Sequence, residues 1–317
     1  MDDASFYEDE HTQIFLADCR TAPGLVEKPV HLIVTSPPYN LGKDYGTAND
    51  QLSYERYLSD VEEWGIAWKE LLAPGARVAI NIPVDTNGER NGRGNGSRKL
   101  TSSKRFLLAD YHRIFERLGY IYNTTILWNE GNVSRRTAWG SWKSASDPWV
   151  TTPTEAILVY SWRTRKRPDA AGKKSGIWRD EFLKWSLGTW DFAGESPSRV
   201  GGHPAAFPRE LPRRIIRLFS FIGDTVLDPF NGSGTTTAEA RALGRYGIGF
   251  DIEPTYCSYA VARAQDICFG SGNPPDPYVP DPAALTKNVN KNARKAARGQ
   301  LLFTSIDGHP EGNQPTR

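Results

Sequence analysis

The sequence predicts an α/β fold, a mostly parallel twisted sheet with helices on both faces, and three observations carry the prediction. Short apolar runs alternate with longer segments of helical period, the order expected when each strand is followed by a crossover helix. The runs are continuously apolar rather than alternating, which marks strands covered on both faces. From Thr225 to Ile252 the chain reads strand, Gly-rich turn, helix and strand without interruption.

The elements follow in order. His31 to Thr35 is a buried strand stopped by Pro37 and Pro38. Tyr54 to Leu72 carries Tyr57, Leu58, Val61, Trp64, Trp68 and Leu71 at helical spacing, and Pro74-Gly75 ends it. Arg77 to Ile82 is a second buried strand. Asp85 to Lys104, rich in Gly, Asn and Ser, reads as a mobile loop. Phe106 to Leu118 reads as a helix, and Tyr120 to Trp128 and Ala156 to Trp162 as strands. Between Asn129 and Gly202 the period is lost, and seven tryptophans (139, 142, 149, 162, 178, 185 and 190) are interleaved with basic residues. A helix over Pro208–Phe221 precedes the strand Thr225–Asp228, the helix Thr235–Leu243, the strand Tyr246–Ile252 and a last helix over Thr255–Phe269. Beyond Gly270 proline, asparagine and basic residues dominate, the composition of a loosely held tail.

The bulk composition narrows the class. A chain of 317 residues with 38% hydrophobic and 24% charged residues can bury a sizeable core. Three scattered cysteines, Cys19, Cys257 and Cys268, form no CxxC pair and suit neither a disulfide framework nor a zinc site. No apolar run approaches the roughly 20 residues that span a bilayer, and the acidic N-terminus lacks the parts of a signal peptide, so a cytoplasmic protein with no metal is expected. Net charge is only +2, but Ser161 to Arg217 holds thirteen Lys/Arg against six Asp/Glu. A second basic stretch includes Arg93, Arg98, Lys99 and Lys104. Basic residues gathered in irregular segments suit a phosphate backbone, and equally a solvated surface.

Two turns carry the chemistry. Asp228-Pro-Phe-Asn-Gly-Ser-Gly-Thr-Thr-Thr237 hands a strand over to a helix, where small residues admit a ligand to the backbone and the helix start favours an anion. A P-loop would need Lys where Thr235 stands, and a dinucleotide turn would need glycine at Thr237. An adenosyl-amino acid remains, its carboxylate at the helix start. Asp251, at the tip of the next strand, is placed to accept hydrogen bonds from both ribose hydroxyls, with Phe250 or Ile252 flanking an adenine. Taken alone, this unit does not choose between NAD and S-adenosylmethionine.

The second turn, Thr35-Ser-Pro-Pro-Tyr-Asn40, should lie at the carboxyl edge of the sheet. Two prolines stiffen it and remove two donors, leaving the Ser36 hydroxyl and the Pro37 carbonyl as acceptors beside the Tyr39 ring. Such acceptors can hold the two protons of an exocyclic base amine, drawing it toward tetrahedral geometry and freeing its lone pair. Tyr39 can stack on an extruded base. Catalysis of this kind is positioning and electrostatics and needs no cysteine nucleophile. An isolated Ser-Pro-Pro-Tyr would read as a stiff loop; its pairing with the Gly-rich turn reverses that.

With these motifs in hand, the chain resembles the amino-methyltransferases of bacterial restriction–modification systems, in the permuted order called β, where the catalytic motif precedes the cofactor motif. Four segments match in order: Leu16-Ala-Asp-Cys19, Thr35-Ser-Pro-Pro-Tyr39, His203-Pro-Ala-Ala-Phe-Pro208 and Asp228 to Thr236. The resemblance implies a Rossmann-like methyltransferase fold using S-adenosyl-L-methionine on double-stranded DNA. It divides the chain into a catalytic domain (1–128 and 203–270), a target-recognition region (129–202) and a basic tail (271–317). Ser36, Pro37, Pro38 and Tyr39 would be catalytic. Asp18 would contact the cofactor adenine with Cys19 beside it, and His203, Pro204 and Phe207 would line the methionine end. Asp228, Pro229, Phe230, Gly232, Gly234 and Thr235 would wrap the methionine, while Asp251 and Ile252 hold the nucleoside. DNA contacts would come from Arg93, Arg98, Lys99, Arg135, Arg136, Trp139 and Lys143. Within the resembling group Ser-Pro-Pro-Tyr is more typical of cytosine-N4 methylation, and adenine-N6 is the alternative. An NAD-dependent oxidoreductase, a DNA-binding protein without catalysis and a methyltransferase acting on RNA or protein stay as rivals. The sequence leaves open a homodimer and a separately acting restriction endonuclease.

Overall fold

In a computed structural model, residues 5–40, 52–87, 104–130, 141, 143–146, 148, 154–194 and 208–270 are described. In chain order the elements are β1 (Ser5–Glu8), β2 (Thr12–Leu16), a short 3-10 helix (Cys19–Gly24), β3 (Val30–Thr35), α1 (Tyr54–Leu71) and β4 (Leu72–Pro83). They continue with β5 (Thr86–Asn87), β6 (Lys104–Arg105), α2 (Leu107–Arg117), β7 (Ile121–Asn129), β8 (Thr154–Ser161), α3 (Arg179–Trp185) and β9 (Thr189–Asp191). The last are α4 (Glu210–Phe219), β10 (Thr225–Asp228), α5 (Thr235–Ala242), β11 (Tyr246–Asp251) and α6 (Pro254–Asp266).

Nine strands form one sheet in the order β1-β2-β11-β10-β3-β4-β8-β7-β9. The run from β2 to β4 is parallel throughout, β8 and β7 continue it antiparallel, and β1 and β9 close the edges. Central strands are buried on both faces, so successive residues feed opposite cores. Ile33, Val78, Ile80, Leu227, Ile248 and Phe250 pack with Trp64 and Trp68 of α1 and Phe115 of α2. Leu32, Val34, Ala79 and Val226 face the other way, against Leu211, Ile215 and Ile216 of α4 and Ala240 of α5. Helix α1 starts at Ser53, whose hydroxyl accepts the Arg56 N–H, and stops ahead of Gly75, which takes φ +77°.

The elements read from the sequence are present within a few residues of their expected bounds. Seven were not anticipated: the 3-10 helix, the two-residue strands β5 and β6 in the stretch read as a loop, and β1, β2, α3 and β9. β1 and β2 are short and half-polar, and α3 and β9 sit in the stretch where the period is lost.

Within the expected target-recognition region, 129–202, β8 pairs with β4 inside the main sheet. Trp185 and Trp190 are core residues beside the Arg214 guanidinium, and the Trp190 indole donates to the Trp185 carbonyl. Arg167, from the same stretch, is buried between Asp224 and Asp169 at 2.8 and 2.7 Å. These contacts join the described parts of the segment to β4, α4 and the turn ahead of β10. His31, Asp169 and Asp224 form a cluster of potential metal ligands among the described residues. Arg167 and Lys173 already neutralise its carboxylates.

β3 leads rightward through α1 to β4, and β10 leads leftward through α5 to β11, so strand order reverses between β3 and β10. At that junction Asp228 ends β10 and is 1% exposed. Its carboxylate accepts from the Thr35 hydroxyl at 2.8 Å, the Thr236 hydroxyl at 2.6 Å and the Phe230 N–H at 3.1 Å. One side chain thus joins the residue before the Ser-Pro-Pro-Tyr turn to the first turn of α5. Burial pushes its pKa up to about 6, against the lowering effect of those three donors.

Two outcomes are expected of this group. Asp228→Ala orphans three donors and should cost about 2–4 kcal/mol in denaturant unfolding. The raised pKa has a definite sign: the native protein holds its proton longer than the unfolded chain. Relative to Asp228→Asn, the wild type should therefore lose stability as pH rises from about 4 to 6, by at most about 3 kcal/mol. A parallel pair of stability–pH curves would refute this.

Candidate active site

The parallel strands end on one edge, and that edge gathers most of the sequence-predicted residues that lie among the described ones. In strand order these are Asp18 beyond β2, Asp251 ending β11, Asp228 ending β10 and Ser36 beyond β3. The Ala17 N–H donates to the Asp251 carbonyl at 2.9 Å, which holds the Asp18 segment against β11.

The Gly-rich turn is built to bring its backbone forward. Gly234 takes φ +79° as the N-cap of α5, and a Cβ there would lie 2.7 Å from Ala260 Cα. Gly249 passes so close to the Asn231 side chain that a Cβ would sit 2.4 Å from its amide. No side chain caps α5, so its first N–H groups are offered at the carboxyl edge rather than consumed by a Ser or Asp. Arg263 donates to the Thr235 hydroxyl at 2.7 Å and adds positive charge near the same helix start.

Asp251 is half-buried. One oxygen accepts the Gly232 N–H at 2.8 Å and the other the Glu253 N–H at 2.9 Å, so it holds the turn as well as facing the edge. Each oxygen keeps a second lone pair. Burial raises its pKa, and the backbone donors oppose the rise. Ile252, beside it, is 46% exposed. Phe250 is not available to flank a ligand: it is fully buried and stacked on Phe15 at 4.6 Å.

Among the other expected contact residues, Asp228 is buried, and its carboxylate accepts from Thr35, Thr236 and Phe230 within the fold. Phe230 meets Trp64 edge-on at 4.7 Å and is partly withdrawn into the core. Asp18 caps the 3-10 helix through the Arg20 N–H and is gripped by the Arg20 guanidinium at 2.6 Å. Burial works to raise its pKa, but Arg20 prevails and holds it below the usual carboxylate range. Cys19 is buried, and burial drives its thiol pKa far upward, away from thiolate chemistry. Lys143 is exposed, with φ +53°. Arg93, Arg98, Lys99, Arg135, Arg136, Trp139, His203, Pro204 and Phe207 lie outside the described residues.

At the Ser-Pro-Pro-Tyr turn Ser36 is partly exposed, whereas the Tyr39 side chain is drawn inward to 8% exposure. The Tyr39 hydroxyl lies against the Ser36 hydroxyl, donates to the Asn81 carbonyl at 2.9 Å and accepts from the Asn81 amide at 3.2 Å. The same amide nitrogen donates to Glu155. Tyr39 is thus anchored by its hydroxyl. Asn81 and Glu155 went unnoticed in the sequence; their only signal was a polar residue within or beside an apolar run.

Comparison with known proteins places this geometry. A sequence model of the DNA methylase family matches residues 30–262. The Type II methyltransferase M.MjaVI of Methanocaldococcus jannaschii is 41% identical over 179 residues, 56% of this chain and 83% of the relative. M.MjaI of the same organism is 29% identical over 275 residues, 76% and 87% of the two chains. Among solved structures, the DNA modification methylase TTHA0409 of Thermus thermophilus, complexed with S-adenosyl-L-methionine, superposes with TM-score 0.61 at 27% identity. That match covers 81% of this chain and 96% of the other. The cytosine-N4-specific PvuII DNA methyltransferase shares the fold, with TM-score 0.58 at 18% identity over 82% of this chain and 88% of that one. With its Ser-Pro-Pro-Tyr and Gly-rich turns meeting at the reversal of strand order, the chain belongs to the N6/N4 DNA methylase family, the amino-methyltransferases of restriction–modification systems.

Proposed function

We propose that this protein transfers a methyl group from S-adenosyl-L-methionine to the exocyclic N4 amine of a cytosine extruded from duplex DNA. The observation that carries the reading is the juxtaposition of two turns at the strand-order reversal, one offering acceptors and the other an uncapped helix start. The residues present fit the cofactor: the α5 N–H groups suit its carboxylate, Asp251 retains lone pairs for ribose hydroxyls, and exposed Ile252 offers a flank to adenine. His203, Pro204 and Phe207 complete the methionine end in this reading, and the Asp18 segment meets the adenine. When bound, S-adenosylmethionine supplies an electrophilic methyl on a sulfonium.

The protein's own part is to prepare the amine. A cytosine or adenine amine is conjugated with its ring and weakly nucleophilic. The Ser36 hydroxyl oxygen and the Pro37 carbonyl accept its two protons and favour the tetrahedral form, in which the lone pair is free. The rigidity of Pro37-Pro38 keeps those acceptors in place without reorganisation. Tyr39, anchored through its hydroxyl, offers only what its ring leaves exposed to the base. Ser rather than Asp at position 36 favours cytosine over adenine, because Ser leads this turn in cytosine-N4 enzymes more often. Arg93, Arg98, Lys99, Arg135, Arg136, Trp139 and Lys143 serve as contacts to the duplex.

The deciding experiment is incubation with methyl-labelled S-adenosylmethionine and mixed-sequence duplex, then digestion and nucleoside mass spectrometry. Labelled N4-methylcytosine is expected; labelled N6-methyladenine would keep the mechanism and overturn the base, and unlabelled DNA alongside labelled RNA or protein would overturn the substrate. Ser36→Ala should slow single-turnover transfer by about tenfold to a thousandfold with cofactor affinity unchanged. Asp251→Asn should weaken cofactor binding by about tenfold or more, read by calorimetry. Asn is preferable to Ala there, since Asp251 also holds the Gly232 and Glu253 backbone.

A further inference from the structure

Glu155, the second residue of β8, lies directly across from Pro83, at the same sheet edge as Ser36, and is partly buried. Its carboxylate accepts from the amide nitrogen of Asn81. That nitrogen also donates to the Tyr39 hydroxyl at 3.2 Å, and the Tyr39 hydroxyl lies against Ser36 Oγ. Four residues from two strands and a turn therefore form one chain of hydrogen bonds, ending on the serine that holds the target amine in the reading above.

The protons in this chain can be accounted for one by one. A phenol has a single proton, and Tyr39 gives it to the Asn81 carbonyl at 2.9 Å. The Tyr39 oxygen is then an acceptor toward both the Asn81 amide and Ser36. Ser36 in turn has one proton, and it is spent inward on Tyr39. Its remaining lone pairs face outward as acceptors.

That direction matters. A Ser36 hydroxyl pointing at the base would donate to the amine nitrogen and tie up the lone pair needed for attack. A Ser36 hydroxyl pointing at Tyr39 can only accept an amine proton.

Glu155 fixes the second anchor of the Tyr39 oxygen. A carboxylate oxygen facing an amide selects its nitrogen, so Glu155 turns the Asn81 N–H group toward itself and toward Tyr39. Were the amide turned over, its oxygen would face the carboxylate, and the donor to Tyr39 would be lost. The orientation is held against the amide's own demand, since Asn81 Oδ1 is buried with no hydrogen-bond partner among the described residues. We infer that Glu155 is a positioning residue for methyl transfer: it fixes the Asn81 amide as a donor to the Tyr39 oxygen, and so holds in place the acceptor toward which the Ser36 hydroxyl turns. The inference rests on the methyl-transfer reading of Ser36.

Glu155→Gln is isosteric but can offer either an oxygen or an N–H to Asn81, so the amide is no longer held one way. Its single-turnover transfer rate, at saturating S-adenosylmethionine and duplex, should fall about tenfold to a hundredfold. Dissociation constants for both should stay within about twofold, since a change confined to the transition state leaves ground-state binding alone. Glu155→Asp keeps the acceptor-only carboxylate and should recover part of the rate, which a packing defect would not do. Tyr39→Phe cuts the chain between Asn81 and Ser36, so Tyr39→Phe/Glu155→Gln should be no slower than Tyr39→Phe alone. A normal rate for Glu155→Gln, an Asp variant no better than Gln, or losses that multiply in the double variant would overturn the inference. A wild-type protein that methylates no DNA base would overturn the reading beneath it instead.

Discussion

The site depends on one buried carboxylate. Asp228 ends a central strand and accepts from Thr35 on the neighbouring strand and from Thr236 in the helix that follows. Ser36 comes directly after Thr35, and the Gly-rich turn lies between Asp228 and Thr236. The two turns that carry the chemistry are therefore fixed to the same side chain and cannot shift independently. Burial of this group is unfavourable for its charge, as its raised pKa shows, and the three donors offset that cost only in the native geometry.

Strand polarity does the rest. Parallel strands deliver their carboxyl ends to one edge, and strand order reverses there between β3 and β10, with α1 and α5 leaving on opposite faces. An antiparallel partner, β8, adds something the parallel strands cannot: its N-terminal end arrives at that same edge. Glu155 is brought to the catalytic turn in this way, although 118 residues of chain separate it from Pro37. The electrostatics of the edge are correspondingly divided. Asp18 is paired with Arg20, Asp228 is sealed, and Asp251 stands half-buried with lone pairs to spare.

Local sequence determined a good deal. Continuous apolar runs such as Leu32 to Val34 have one low-energy environment, a sheet covered on both faces, and Pro37-Pro38 and Gly232-Ser-Gly234 punctuate the chain through backbone sterics alone. The α/β class, the element order and the pairing of the two turns followed from these features, because each is a property of a few neighbouring residues. The resemblance of four ordered segments then carried the family.

Tertiary structure decided what depends on distant partners. Nothing near Asp228 in sequence says that Thr35, 193 residues away, would consume its oxygens. Nothing near Phe250 says that Phe15 would bury it, and nothing near Trp185 and Trp190 says that their rings would fill the main core rather than a surface. Nothing in the broken period between 129 and 202 says that β8, within it, would pair with β4 inside the main sheet. Motif chemistry is written in adjacent residues; the direction of a hydrogen bond, and the burial that makes it count, belongs to groups that only folding brings together.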